Sequence, residues 1–443
     1  MANSETPDRS ALPPDQTLRR SLNDEVHARP PERIVAPSRV SFVALVANEA
    51  ERRQSWATIG EVAKRAGAAP PAADALHYSI DLGAYRLKAE RHTEFLRVKI
   101  IVAGYGRGGA ADPFAESALQ SAGVDWLADL AGKTLTAIHS AIVPAASWPP
   151  KVHLLGGGIA SRELLVGALI SDGRAAAFTD LLIGEDGFSR LLVLDNGMTA
   201  GQAGRNLQRL VEIEAYRMLA LLAFPIARAR MGELNALESD LRDAASALVS
   251  AKEEEEPALL ERLTRLAASM ESLQSSSQFR FAAAASYYEL VERRIAELRE
   301  GRLEGLPTFA EFFDRRLAPA MRTCRVAVER QETLSARIAR TTELLSTRVE
   351  ISSQRQSHAL LDSMDRRAQL QLRLQETVEG LSIAAITYYI VSLVGKAAEG
   401  LAAEGAPVEP ALAMAIAIPI VAILVALGVW RIRRSVAKAF EKH

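Results

Sequence analysis

The spacing of apolar positions changes once along the chain, near Gly204, and separates two kinds of structure. Before that point apolar residues alternate in short runs. Val40, Phe42, Ala44 and Val46 share one strand face, and further strand-like runs lie near Leu76–Leu82, Tyr85–Lys88, Glu94–Val102 and Lys133–Val143, divided by glycine, proline and aspartate. A helical stretch from Glu49 to Lys64 stops before Gly67–Pro71. Arg174–Ile183 and Phe188–Leu194 flank Gly184-Glu185-Asp186-Gly187, whose Asp-Gly step suits a tight hairpin turn. Residues 20–200 are expected to form one cytoplasmic α+β domain behind a loose polar tail over residues 1–18, which lacks the apolar region of a secretory signal.

After Gly204 the period becomes about three and a half. Leu234, Leu237, Leu241, Ala244 and Leu248 recur at alternating spacings of three and four, as a seam between packed helices requires. Glu253–Glu256 reads as a turn, with Pro257 at the start of the next helix. That helix repeats the seam through Leu259, Leu263, Leu266, Met270 and Leu273, then Tyr288, Val291, Ile295 and Leu298, and ends near Gly301. A third helix runs without proline or glycine from Glu329 to Glu379, and Pro225 should kink the first. Each helix carries one apolar stripe, so the three must pack on each other or on copies of themselves. Residues 201–379 are expected to be a long antiparallel helical bundle or coiled-coil stalk.

The C-terminal end is different again. Ala411–Trp430 is twenty residues without a charge, which at about 1.5 Å per residue matches a hydrocarbon core of about 30 Å. Gly380–Gly395 is a second apolar run, sixteen residues long, which snorkelling by Lys396 can extend toward residue 398. Arg431, Arg433, Arg434 and Lys438 follow the second run, whereas the loop Lys396–Pro410 holds one lysine against Glu399, Glu404 and Glu409. The positive-inside rule then predicts a transmembrane hairpin with its loop outside and residues 431–443 as a basic cytoplasmic tail. Lys396, Trp430, Arg431, Arg433 and Arg434 are the expected interface anchors. Ser382, Tyr389 and Ser392 fall near one side of the first span, where they would either line a pore or bond within a helix pair.

Composition narrows the picture. With 53 basic and 54 acidic residues the net charge is −1, so bulk electrostatics gives no reason to expect nucleic acid as a partner. The single cysteine, Cys324, cannot form an internal disulfide, which fits a reducing compartment and excludes a structural zinc site built on several thiolates.

Two polar clusters stand out. Asn23-Asp24-Glu25-Val26-His27-Ala28-Arg29-Pro30, if extended, presents Asn23, Glu25, His27 and Arg29 to one side. Glu90-Arg91-His92-Thr93-Glu94-Phe95 enters a strand, with Glu90, His92 and Glu94 on one face and Arg91 opposite. Carboxylates flanking an imidazole suit a divalent ion, with His27 as a further ligand, or proton transfer. A network of ion pairs or a small-ligand site uses the same residues. Gly104-Tyr-Gly-Arg-Gly-Gly109 satisfies Gly-x-Gly-x-x-Gly, but no helix opens at its last glycine and no acidic strand end follows, so it reads as a loop. No Gly-x-Ser-x-Gly elbow marks a nucleophile. No motif names a cofactor.

These two clusters, with Arg209-Leu-Val-Glu-Ile-Glu-Ala-Tyr-Arg217 and Met364-Asp-Arg-Arg-Ala-Gln-Leu-Gln-Leu-Arg373, resemble a bacterial family of uncharacterised membrane-anchored proteins of unknown function over nearly the whole chain. The layout alone is also similar to CorA-type magnesium channels, although the Gly-Met-Asn signature those channels place between their spans is absent from Lys396–Pro410. The expectation is an inner-membrane protein that presents a cytoplasmic binding or scaffold module to the lipid surface or to partners, self-associating through stalk and spans. The alternatives are an oligomeric two-span ion transporter, and an enzyme or metalloprotein using His27, Glu90, His92 and Glu94.

Overall fold

A computed structural model of the chain describes residues 15–27, 30–110, 112–147, 165–405, 407 and 409–440, without the side chains of residues 21, 25–27 and 433–440. The chain divides into two compact units, one of residues 1–249 and 261–341, the other of residues 250–260 and 342–443.

The first unit is built on a mixed sheet. In chain order it contains α1 (Arg19–His27), β1 (Ser38–Val46), α2 (Glu49–Arg65), β2 (His77–Asp81), β3 (Arg86–Arg91), β4 (Phe95–Ala103), α3 (Ala118–Ala122), β5 (Lys133–Pro144), β6 (Val166–Ile170), β7 (Ala175–Thr179) and β8 (Ser189–Asp195). The helices α4 (Ala200–Leu221), α5 (Ala223–Ser250), α6 (Glu256–Leu298), α7 (Phe309–Arg316) and α8 (Ala318–Ala403) follow, and β9 (Gly301–Arg302) lies between α6 and α7. The sheet has nine strands in the order β2-β3-β4-β1-β5-β8-β7-β6-β9. All neighbours are antiparallel except β5 and β8.

Side chains of successive strand residues point to opposite faces, and here both faces are covered. Val40, Phe42 and Ala44 of β1 join the core under α4 and the later helices, while Val43 and Leu45 join a second core with Trp56 and Ile59 of α2. Reciprocal caps start the helices: Asn48 with Glu51 for α2, Thr199 with Gln202 for α4, and Thr308 with Glu311 for α7. The segment before β1 crosses the first turns of α4, where the Ile34 amide donates to the Ala200 carbonyl at 3.0 Å. Gly204 makes that crossing possible. A Cβ there would sit 1.6 Å from the Glu32 carbonyl oxygen.

Two local readings change. Residues 19–27 form a helix, not an extended strand, because the stretch holds no glycine or proline until Pro30. The extended reading therefore does not hold over residues 23–27. β7 and β8 do pair, but they end at Thr179 and begin at Ser189, so Asp186-Gly187 turns inside a longer loop and is not a tight hairpin. The Thr179 and Asp180 side chains accept the amides of Leu181 and Leu182, each at 3.1 Å, and so end the strand.

The helical seam is buried as its spacing implies. Leu234, Leu241 and Ala244 of α5, Leu263, Leu266, Met270 and Leu273 of α6, and Leu334 and Ile338 of α8 all lie inside. Polar links run beside them: Arg330 of α8 reaches Glu238 of α5 at 2.7 Å, and Gln331 of α8 donates to Ser277 of α6 at 3.3 Å.

In the second unit, Glu256 is buried against Arg348 at 2.5 Å, and Arg348 also donates to the Ala251 carbonyl at 3.0 Å. α9 (Pro410–Phe440) returns along the end of α8. Val391, Gly395 and Ala398 are the buried line of α8 there, and a Cβ on Gly395 would lie 2.6 Å from the Met414 sulfur. Such close backbone approach is how small residues serve helix pairs in lipid. Many of the remaining large apolar side chains, among them Leu381, Leu393, Ile416, Ile423 and Leu427, are exposed.

Candidate functional site

The hairpin of β3 and β4 turns a row of charged side chains toward the helices. Their register sets Lys88 opposite Lys99 and Glu90 opposite Arg97, all on one face and all buried. α4 brings Glu212 and α6 brings Arg294 to the same place. Arg97 bridges the two carboxylates, pairing with Glu90 through Nε and with Glu212 at 2.8 Å. Arg294 meets Glu212 at 2.6 Å, Gln208 donates to it at 2.9 Å, and Lys88 lies 3.4 Å from Glu90. Lys88 also donates to the Pro30 carbonyl at 2.5 Å, in the segment that Gly204 admits.

Burial pushes both carboxyls upward, but the surrounding cations win. Arg97, Lys99 and Lys88 hold Glu90 far below the usual carboxylate range, and Arg97 and Arg294 lower Glu212. Lys99 is the exception among the cations. Burial, reinforced by the positive charge of Arg97, lowers it to about 8, and its ammonium has no hydrogen-bond acceptor among the described residues.

At the end of the hairpin the expected strand face does not form. β3 stops at Arg91 and β4 starts at Phe95, so residues 92–94 make the turn, closed by the His92 amide donating to the Phe95 carbonyl at 2.9 Å. The four groups then diverge. Glu90 points into the buried network, Glu94 pairs with Arg280 of α6, His92 stacks on Phe95 at 4.1 Å, and Arg91 lies over Trp56 at 5.4 Å. Asn23 is exposed on α1, the side chains of Glu25 and His27 lie outside the described residues, and so does all of Arg29. Among the described residues no group of three or more His, Cys, Asp or Glu side chains is placed to hold a metal ion.

Beside the turn lies a cavity of about 400 Å³ whose walls include Arg52, Arg91, His92, Phe95, Tyr216 and Tyr287. The two tyrosine rings stack at 5.8 Å. Tyr216 is buried, and its hydroxyl has no hydrogen-bond partner among the described residues. The phenol of Tyr287 is pushed up by burial and by the Glu94 carboxylate. An aromatic wall beside two guanidinium groups suits a planar or anionic group.

Sequence reading missed a third constellation. Ser41 Oγ lies 2.8 Å from His139 Nδ1, and His139 Nε2 lies 3.8 Å from Asp186. The imidazole stacks on Phe188 at 3.9 Å, and burial together with Arg190 lowers it to about 4. The arrangement carries the residue types of a hydrolytic triad, but Ser41 is 1% exposed and no substrate reaches its hydroxyl. It is a strut between β1, β5 and the loop before β8. Of the residues expected to anchor at the interface, Lys396, Trp430 and Arg431 are exposed, and Arg433 and Arg434 lie in α9.

A mixed sheet backed by long helices, ending in two helices long and apolar enough to cross a membrane, is the class of protein this fold defines. The chain belongs to the family described as protein of unknown function (DUF3422), which it matches over residues 14–436. No curated protein and no solved structure matches it.

Proposed function

We propose that the protein is a membrane-anchored binding module: the end of α8 and α9 form a hairpin in the inner membrane, and the α+β unit engages a partner or small ligand on the cytoplasmic side. The observation that carries this reading is the outward-facing apolar surface of both terminal helices, since side chains such as Leu393, Ile416 and Leu427 have only hydrocarbon to repay their exposure. The basic residues after Trp430 and the acidic loop before Pro410 support a cytoplasmic C-terminus. Binding is favoured over metal chemistry because Glu90 and Glu94 are each taken up by arginine. A simple anchor is favoured over a pore because the Ser382 hydroxyl donates to the Val378 carbonyl of its own helix at 2.8 Å. Alkaline carbonate extraction of native membranes tests the anchor. The full chain is expected to stay in the pellet, and its recovery in the wash would refute the reading.

A further inference from the structure

Between the packed start of the second unit and the first apolar run, α8 carries a stretch whose apolar side chains are exposed among the described residues. Leu345 is fully buried, but Leu360, Leu361, Met364, Leu370, Leu372, Leu374 and Val378 are each more than half exposed. At about 100° per residue these side chains fall in one arc of about 200°, running from Leu370 through Leu360 to Leu372. Asp362, Asp365, Arg366, Gln369, Arg373 and Glu376 occupy the other side, and they too are exposed. The arc is about twice the width of an ordinary buried stripe, so one neighbouring helix cannot cover it.

Membrane anchoring identifies the occupant. Residues 360–379 continue without a break into Gly380–Gly395 as part of the same helix. Every copy held in the same bilayer therefore presents this stretch in the same direction and at the same depth, and identical surfaces meet by symmetry. The polar side carries both signs of charge, and the one layer that brings like charges together within the arc, Arg367, lies with Gln371 between apolar layers. Fully covering a leucine-sized side chain removes ~60–120 Å² from water, so these residues supply on the order of 500 Å² per copy, or on the order of 1,500 Å² across three copies, which reaches the range of specific interfaces. Within the arc, Leu360, Met364, Arg367, Gln371, Leu374 and Val378 follow the alternating spacing of four and three, with two polar layers between apolar ones. Polar layers of this kind set register and copy number.

We infer that residues 360–381 of α8 assemble in parallel with the same segment of other copies, into a bundle of more than two chains whose axis Leu360, Met364, Leu374 and Val378 face. The parallel orientation rests on the anchoring proposed above. The test uses the full chain with Cys324→Ala, which removes its only cysteine. In native membranes under mild oxidation, Leu374→Cys is expected to crosslink chain to chain at least tenfold more than Gln369→Cys on the polar side. In detergent, the mass of the unmodified protein should exceed that of two chains, and Leu360→Glu with Leu374→Glu should reduce it to one chain while leaving thermal unfolding of the α+β unit unchanged. A one-chain or two-chain mass, or equal crosslinking at residues 369 and 374, would overturn the inference. Carbonate extraction of the same membranes separates the two claims: a chain that washes off yet still crosslinks at residue 374 supports assembly and overturns anchoring, and an anchored chain that does not crosslink overturns assembly.

Discussion

Arg97→Met is expected to lower the stability of the protein by about 3–5 kcal/mol, the usual cost of breaking a buried ion pair from one side. Among the described residues Arg97 is the one side chain that contacts both Glu90 and Glu212, and all three are almost inaccessible to water. Without it Glu90 keeps Lys88, at 3.4 Å, and the nearby charge of Lys99, and Glu212 keeps Arg294 and Gln208. Each carboxylate must then either remain charged with fewer partners or take up a proton. Adding Glu90→Gln to Arg97→Met should restore part of the loss, since an uncharged amide costs less to bury. Denaturant titration of the detergent-solubilised protein measures both. A loss below about 1 kcal/mol for Arg97→Met would mean that water reaches the network.

The second large effect is a pH dependence. Burial lowers His139 to about 4 from its ordinary 6.5. Between those values the unfolded chain binds a proton that the folded one does not, so stability rises with pH across the window. The contribution is complete above about 6.5 and disappears as pH falls to about 4, and for a side chain this buried it is of the order of 3 kcal/mol. His139→Gln, which keeps a hydrogen-bonding group near Ser41, should flatten the slope between pH 6.5 and 5. Glu90 and Glu212 do not confuse the comparison, because their contribution is centred at lower pH and is common to both proteins. Melting temperatures read across that range give the answer, and an unchanged slope in His139→Gln would show that the imidazole is solvated.

Much of this fold could be read from spacing alone, and the reasons are local. β1, β4 and β5 alternate over nine residues or more, the turn before Pro257 carries its own punctuation, and Pro225 breaks the helix at Leu222 because its ring excludes the carbonyl four residues earlier. β6 escaped notice because Val166-Gly-Ala-Leu-Ile170 is short and does not alternate, and β9 is only two residues, held in place by pairing with Ala168 and Leu169. Charge on strands is a poor guide to exposure. Arg97 and Lys99 look like the solvent side of β4, yet α4, α6 and the segment before β1 cover them. Period two says which residues share a face, but not what lies over it. The cavity beside the hairpin draws Tyr216 and Tyr287 from helices more than a hundred residues away, and Ser41, His139 and Asp186 come from three separate segments. Only the folded chain brings such groups together.

The two polar clusters illustrate the same limit. Residues 90–94 concentrate charge because they close a hairpin between a buried network and an aromatic cavity, and each side chain leaves the turn in its own direction. Adjacency in sequence there reflects the shape of a turn more than a shared ligand.

The central claim is that the last two helices cross the bilayer with their connecting loop outside, and accessibility to a membrane-impermeant maleimide measures it most directly. In spheroplasts carrying the Cys324→Ala protein, Glu404→Cys should label without lysis and Lys438→Cys only after the membrane is opened. Labelling of Lys438→Cys in sealed spheroplasts, or protection of Glu404→Cys until lysis, would contradict the account.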